Sequence, residues 1–458
     1  MQPDSFQTHS LFASTHGAAI RRVLAAAIQA VDPHTAVLSR LKVDGDLLVA
    51  GGQPYDLSSV RRIVVAGAGK AGAPMARAVS ELLGERISAG LVIVKDGHAG
   101  AAPRSARYAR YARIEIHEAA HPVPDMRGVQ ATRRLSALLD GLTRDDLLIC
   151  LISGGGSALL TAPDEDISLP DLQALTGLLL ACGADINEIN CLRKHLDQVK
   201  GGGLARRAAP ARVLTLILSD VMGNPLDGIA SGPCVPDPST YPQALALLEK
   251  YSLLDKVPAA IRAHLQKGQR GELPETPKPG DLLFARVQNL VIADNARAAQ
   301  AALAQARAEG WQTHLLPTPL QGEARDVGEM LAGIARQAAA RGARPLSLLA
   351  GGETTVTLRG GGLGGRNQEL ALAAVPALAG LPDVTLVTLA TDGGDGPTDA
   401  AGAVVTGQSL ARAAAVGLSV PRFLENNDAY HFFQPLGDLL LPGPTLTNVN
   451  DLAFIFLL

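Results

Sequence analysis

Short apolar runs, most of them leading into glycine, serine or aspartate, alternate along almost the whole chain with Ala- and Leu-rich stretches of helical periodicity. The runs include residues 62–66, 91–94, 114–116, 147–152 and 213–218, then 290–293, 346–350 and 384–389. Between them lie stretches such as 71–83, 128–139, 172–182 and 296–308. Runs of this length suit buried strands, and the intervening segments are long enough to carry the chain back across a sheet as helices. The pattern predicts an α/β fold with mostly parallel sheets. A chain of 458 residues exceeds what one core usually organises, so two domains are expected. Residues 269–281, QRGELPETPKPGD, interrupt the periodicity with prolines and charges and make the best linker. The expected division is therefore 1–270 and 271–458.

The formal net charge is −3, with no basic tail or charge block, which excludes bulk attraction to nucleic acid. Cys150, Cys182, Cys191 and Cys234 form no CxxC pair and read as reduced thiols. The opening MQPDSFQTHS lacks a basic segment followed by an apolar one, and no apolar run approaches the ~18 residues of a membrane span. A cytoplasmic protein without membrane partners is expected, and a homodimer is compatible with the sequence. Arginine outnumbers lysine, and no lysine follows Lys278. That scarcity directs attention to Lys70, Lys95, Lys194 and Lys200, because an ammonium does chemistry a guanidinium cannot.

Gly67-Ala-Gly69-Lys70-Ala-Gly72 sits between a strand-like run and a helical stretch, where G-x-G-x-x-G opens a dinucleotide site. The next run ends at Lys95-Asp96, so an acid stands near the distance expected for a ribose contact. A nicotinamide site therefore competes with a phosphate site, since an ammonium at Lys70 suits a transferring phosphoryl group as well as a pyrophosphate. His117-Glu118-Ala-Ala-His121 imitates a zinc-protease motif, but 113–118 alternates like a strand and Pro122 disfavours helix at His121. It is a false match. Ser153-Gly154-Gly155-Gly156-Ser157 follows the run LLICLI, and consecutive glycines at a strand end let amides converge on an anion. Arg193, Lys194 and Lys200 lie within about two helical turns, which on spacing alone equally describes a solvated basic face. Ser219-Asp220 ends the run VLTLIL, the position from which open α/β sheets present ligand contacts.

In the second half, Gly351-Gly352-Glu353 precedes a glycine loop, residues 360–365, that ends in Arg366 where a helical stretch opens. Backbone amides there could approach phosphates while a guanidinium covers developing charge. Asp392, Asp395 and Asp399 crowd one strand end, which suits Mg²⁺ as a hard cation between carboxylates and phosphate oxygens. Neither a G-x-x-x-x-G-K-[ST] loop nor the protein-kinase H-R-D and D-F-G set occurs.

Taken in order, VVAGAGKAGAPMA, KDGHA, HPVPD, LISGGGSALL, LRKHLDQVKGGGLA, GNPLDGIASGP, GGETTVTLRG, GGRNQELAL, ATDGGDGPTDAAG and TNVNDL resemble the glycerate 2-kinase family, whose C-terminal half is called the MOFRL domain. The resemblance implies a larger Rossmann-like, doubly wound N-terminal domain, a smaller C-terminal α/β domain, and an active site in the cleft between them. It implies ATP and D-glycerate as substrates, phosphorylation at the C2 hydroxyl, and Lys70 and Arg366 as catalytic residues. On this reading Lys70 and Arg366 face the γ-phosphoryl oxygens, while Asp392 and Asp395, with Asp220, hold Mg²⁺ or orient the hydroxyl. The loop Ser153, Gly154, Gly155, Gly156, Ser157 cradles ATP phosphates or the glycerate carboxylate. Gly69, Arg193, Lys200, Glu353, Gly364, Gly365 and Asn367 complete the substrate and phosphate contacts. Asn224 stands where relatives often have Asp, Cys234 where Thr is usual, and Gly361 and Leu363 replace basic residues of the glycine loop. Some relatives are labelled hydroxypyruvate reductases, so an NAD(P)-dependent reductase is the alternative enzyme. A non-catalytic sugar-phosphate sensor is the alternative outside catalysis.

Overall fold

The computed structural model describes residues 1–100, 108–111, 113–317, 319–342 and 344–458. The chain forms a central unit, Pro33–Ile292, and a terminal unit that joins Met1–Asp32 to Ala293–Leu458. This differs from the expected division at 270, for two reasons. The proline-rich segment is docked inside the central unit: Asp237 N donates to Pro277 O (2.8 Å), and Thr276 Oγ1 donates to Asp237 Oδ2 (2.9 Å). At the other end, helix Gly17–Ala30 buries Ile20, Val23, Leu24, Ala27 and Ile28 along one stripe and packs on helix Asn295–Ala308. Arg22 forks onto Glu309 (2.8 and 2.7 Å), and the Ser10 amide and hydroxyl both donate to Asp438 (2.8 Å each). An N-terminal helix with an apolar stripe belongs to whichever core covers it, whatever its place in the chain.

In the central unit, β1 (Leu41–Asp44), β2 (Leu47–Ala50) and β3 (Gln53–Asp56) form an antiparallel sheet. The main sheet contains β4 (Arg62–Ala68), β5 (Ile87–Lys95), β6 (Tyr108–Tyr111), β7 (Ile114–Ala119), β8 (Asp146–Ile152), β9 (Arg212–Leu218) and β10 (Val287–Ala293). Its order is β10-β9-β8-β4-β5-β7-β6, with β9, β8, β4, β5 and β7 parallel and β6 antiparallel to β7. From β4 the chain builds outward through β5 and β7, then returns to β8 and builds the other way. Strand order therefore reverses between β4 and β8, and the crevice beyond their carboxyl ends is where such sheets bind ligands. Val64, Ala66, Leu148, Cys150, Ile152, Leu135 and Leu139 form the core on one face.

The terminal unit has β11 (Gln312–Leu315), β12 (Leu346–Gly352), β13 (Val384–Ala390), β14 (Gly402–Thr406), β15 (Leu439–Leu440) and β16 (Asp451–Leu457), ordered β11-β12-β16-β13-β14-β15. Only β11 and β12 pair in parallel; β16 runs antiparallel to both β12 and β13, so this sheet is mostly antiparallel, contrary to expectation. The cause is β16, outside the apolar runs singled out above, which enters from the chain end and separates β12 from β13. Its pairing sets Asp451 beside both Gly352 and Ala390, the carboxyl ends of those strands. Leu370, Val375 and Leu378 of helix Arg366–Leu378 and Leu331 and Ala335 of helix Ala324–Ala340 cover the sheet. No helix among the described residues is long and apolar enough to cross a membrane.

Candidate active site

In the central unit, the turns after β4 and β8 are interlocked. Ser153 N donates to Ala68 O (3.1 Å), Lys70 N to Gly154 O (2.9 Å), and Ala71 N to Ser153 Oγ (3.0 Å). Gly69 adopts φ +140°, and a Cβ there would lie 2.1 Å from Ser153 Oγ, so only glycine permits the approach. Its amide donates to Ile93 O (3.0 Å), which makes Gly69 a packing residue rather than a direct anion contact. Lys70 follows it and leads into helix Gly72–Leu83. In the facing turn, Gly155 takes φ +83°, and the amides of Gly154 and Gly155 meet no acceptor among the described residues. Adjacent unpaired amides at such a turn form an anion nest.

Three more groups reach this nest. Asp220, just beyond β9, brings Oδ2 to 2.1 Å from where a Gly154 Cβ would stand. His121 brings Nε2 to 3.0 Å from the corresponding Gly155 position, with Lys70 Cγ at 3.5 Å from the same point. Burial first, and then Lys70, Lys95 and His98, push the His121 imidazole down to about 4, so it is neutral at physiological pH. His98 Nδ1 lies 3.0 Å from Lys70 O. Sequence reasoning set His121 aside with the zinc motif; its signal was the histidine of HPVPD, placed by the fold rather than by spacing.

Next to the nest, Ser157, Arg193, Lys200 and Asp197 border one small hollow. Ser157 Oγ lies 2.9 Å from Ser231 Oγ, which donates to Asn190 Oδ1 (2.9 Å). Burial lowers the pKa of Arg193, partly opposed by Asp197. Lys200 is buried and committed, donating to Leu160 O (2.5 Å) and pairing with Asp197 (3.3 Å). Of the two expected cations, Arg193 is the one suited to a ligand, and Lys200 supports the loop.

In the terminal unit, Arg366 opens helix Arg366–Leu378 and is gripped by carboxylates. Nε and Nη2 donate to Asp451 Oδ2 and Oδ1 (2.6 and 3.2 Å), and Nη1 donates to Glu353. Burial would lower its pKa, but Asp451 and Glu353 more than offset this and raise it. Burial, against the pull of Arg366, pushes the Asp451 carboxyl up to about 7, with Asn367 lowering it and Asp395 raising it further. Glu353, expected at the phosphates, holds the guanidinium instead. Asp451 was missed because its partner lies 85 positions away.

Asp395 also departs from expectation. Its Oδ1 accepts from Asn367 N (3.1 Å) and Nδ2 (3.4 Å), and its Oδ2 from Gln368 N (2.9 Å) and Nε2 (3.1 Å). It caps the helix that Arg366 begins, and its lone pairs face protein donors rather than a cation. Asn367 is buried in that cap rather than turned to a phosphate, and Gly365 packs so tightly on Asp395 that a Cβ would stand 2.3 Å from Cγ. Asp392 is half-buried, with Oδ1 accepting from Gly394 N (3.3 Å), while Asp399 accepts from Tyr430 (2.9 Å). Among the described residues no group of three or more His, Cys, Asp or Glu side chains could hold a metal ion. The carboxylates present do not fit a preformed Mg²⁺ cage.

The dinucleotide alternative meets an obstacle at Asp96, whose two oxygens accept from Arg127 Nη1 and Nη2 (2.7 and 2.8 Å). The acid expected on a ribose is thus already paired.

Residues 19–266 match the model described as a domain of unknown function, DUF4147, and residues 346–451 match the MOFRL family. A glycerate 2-kinase from Pyrococcus horikoshii is 40% identical over 436 residues, covering 94% of this chain and 95% of that protein. An Agrobacterium vitis protein provisionally named hydroxypyruvate reductase is 42% identical over 443 residues, covering 96% and 94%. The crystal structure of a glycerate kinase from Thermotoga maritima superposes with a TM-score of 0.83 at 39% identity, covering 95% of this chain and 98% of that one. With both family models matched in order and near-complete relatives at this identity, the chain belongs to the DUF4147–MOFRL family of glycerate kinases.

Proposed function

We propose that this protein transfers the γ-phosphoryl group of ATP to the C2 hydroxyl of D-glycerate. The observation that carries the reading is the nest of Gly154 and Gly155 amides beside Lys70, at the strand-order reversal of the central sheet. Phosphoryl transfer asks a protein for positioning and for neutralisation of charge, and little covalent help. Lys70 and the nest neutralise phosphate oxygens, and Arg193 with Ser157 is suited to the glycerate carboxylate. Asp220 and the neutral His121 are the acceptors near the nest for the hydroxyl proton. In the terminal unit, Arg366 is the cation suited to phosphate oxygens, and Asp392 is a half-buried carboxylate at the strand end beyond β13. A divalent cation enters with the nucleotide as part of the substrate, its ligands drawn largely from phosphate oxygens.

The test is ADP release from ATP and D-glycerate, with and without Mg²⁺, run beside NADH oxidation with hydroxypyruvate. Cation-dependent ADP release with 2-phosphoglycerate as product, identified by phosphorus NMR, is expected. NADH oxidation without ADP release would establish the reductase instead.

A further inference from the structure

At the opposite end of the central sheet lies a second cavity, of about 600 Å³, bordered by the amino ends of β8, β9 and β10 and by β3. Three arginines border it: Arg144 before β8, Arg212 at the start of β9, and Arg286 before β10. None of the three has a carboxylate partner among the described residues, although acids are at hand. Asp146 is already committed to Arg61 (2.9 Å), Arg62 (2.8 Å) and Thr143, and Asp56 accepts from Ser58. Arg212 lies over the Tyr55 ring, 4.3 Å from its centroid, and the Tyr55 hydroxyl donates to Gln288 Oε1 (2.5 Å). Arg286 Nη2 donates to Arg144 O (2.9 Å), while its Nε is buried with no acceptor.

A buried guanidinium N–H without an acceptor is costly, and native proteins seldom keep one without a reason. The lining itself balances three guanidiniums against Asp56, Asp145 and Asp146, but Arg61 and Arg62, from outside it, already neutralise Asp146, so cationic charge is left over at the cavity. The volume is ordinary for a small-molecule site. Strand direction puts it at the far end of β4 and β8 from the nest, so it is not part of the proposed active site. We propose that this cavity binds a small multivalent oxyanion, a phosphorylated or polycarboxylate metabolite. Arg212 and Arg286 are its principal contacts.

Equilibrium dialysis of the full chain with radiolabelled pyrophosphate tests this. Lys70→Met should retain a saturable site whose affinity falls as salt rises. The Arg212→Gln/Arg286→Gln double variant should bind one pyrophosphate fewer per chain than wild type. Displacement by citrate alone would identify a polycarboxylate, and displacement by 2-phosphoglycerate an organic phosphate. Where the double variant melts early, Arg144→Gln, an exposed position, should still weaken binding severalfold. Equal stoichiometry in wild type and the double variant, or no saturable binding to Lys70→Met, would overturn the proposal.

Discussion

Both units carry a glycine-rich loop beside a cation, and the two loops are filled differently. In the central unit the turn at Ser153–Gly156 keeps the Gly154 and Gly155 amides unpaired next to Lys70. In the terminal unit the loop before Arg366 is already occupied by the protein itself. Arg359 N and Gly360 N donate to Asn427 Oδ1 (2.6 and 3.1 Å), Gly361 N to Asn426 Oδ1 (3.3 Å), and Leu363 N to Asp428 Oδ1 (2.9 Å). The same composition therefore marks a place for a ligand in one unit and a close approach of neighbouring chain in the other. Arg366 is held in a carboxylate fork, and the Lys70 backbone is fixed by its amide donating to Gly154 O.

The sharpest way to break this comparison is to remove each cation. Lys70→Met and Arg366→Met should each lower kcat/KM by roughly 10²–10⁴-fold, about 3–5 kcal/mol of transition-state stabilisation. Lys70→Met should leave Tm little changed, whereas Arg366→Met should lower it, because it leaves the Asp451 carboxyl buried without its cation. If both serve one transferring phosphoryl group, the double variant is barely worse than the poorer single one. Full additivity, with separate effects on the Michaelis constants for ATP and glycerate, would assign them to different substrates. Asp392→Asn should cost about 10²-fold, partly recovered at high Mg²⁺ if the carboxylate meets the cation–nucleotide complex. A wild-type rate at limiting Mg²⁺ would make it a turn residue.

A smaller effect reads the fork itself. Asp451→Asn should lower kcat/KM about 10-fold, as expected for losing a charged hydrogen-bonding partner, and should change its pH dependence. The Asp451 carboxyl, raised to about 7 by burial, is charged above that pH and neutral below it. Activity that needs Arg366 held in the fork should rise with pH through about 7, and that limb should flatten in the Asn variant. Among the described residues, Asp395 also acts on Asp451, and Glu353 acts on the same fork through Arg366, so a limb unchanged in Asp451→Asn would assign the titration elsewhere.

These contrasts also explain what was legible in the sequence. The turns after β4 and β8 could be read because each motif is contiguous and follows its own strand, so strand pairing alone brings Gly69 to Ser153. The fork could not, because Asp451 reaches Arg366 only through the antiparallel insertion of β16 between β12 and β13. A parallel arrangement was the natural expectation from alternating runs, and it held where helices return the chain between strands. It failed where the chain end supplied the central strand. The Asn426–Asp428 segment carries no pattern announcing that it fills a glycine loop more than sixty positions earlier.

The finest distinction lies between two carboxylates of one motif, Asp392 and Asp395. Three acids at a strand end suggested a cation, yet Asp395 is 2% exposed and each of its oxygens meets two donors from the first turn of helix Arg366–Leu378. A helix N-terminus carries partial positive charge and unpaired amides, so it satisfies a carboxylate as a cation would. Asp395→Ala should therefore act on stability before it acts on chemistry. Losing an N-cap costs about 0.5–2 kcal/mol, and leaving the Gln368 and Asn367 donors buried adds to that. Tm should fall by several degrees, and any loss of rate should persist at every Mg²⁺ concentration, because the variant would disturb where Arg366 starts its helix rather than remove a ligand. Were Asp395 a metal contact after all, the rate would be rescued by excess Mg²⁺ and Tm would hold. Measuring both quantities for Asp392→Asn and Asp395→Ala side by side separates a group that meets substrate from one that positions the residue beside it.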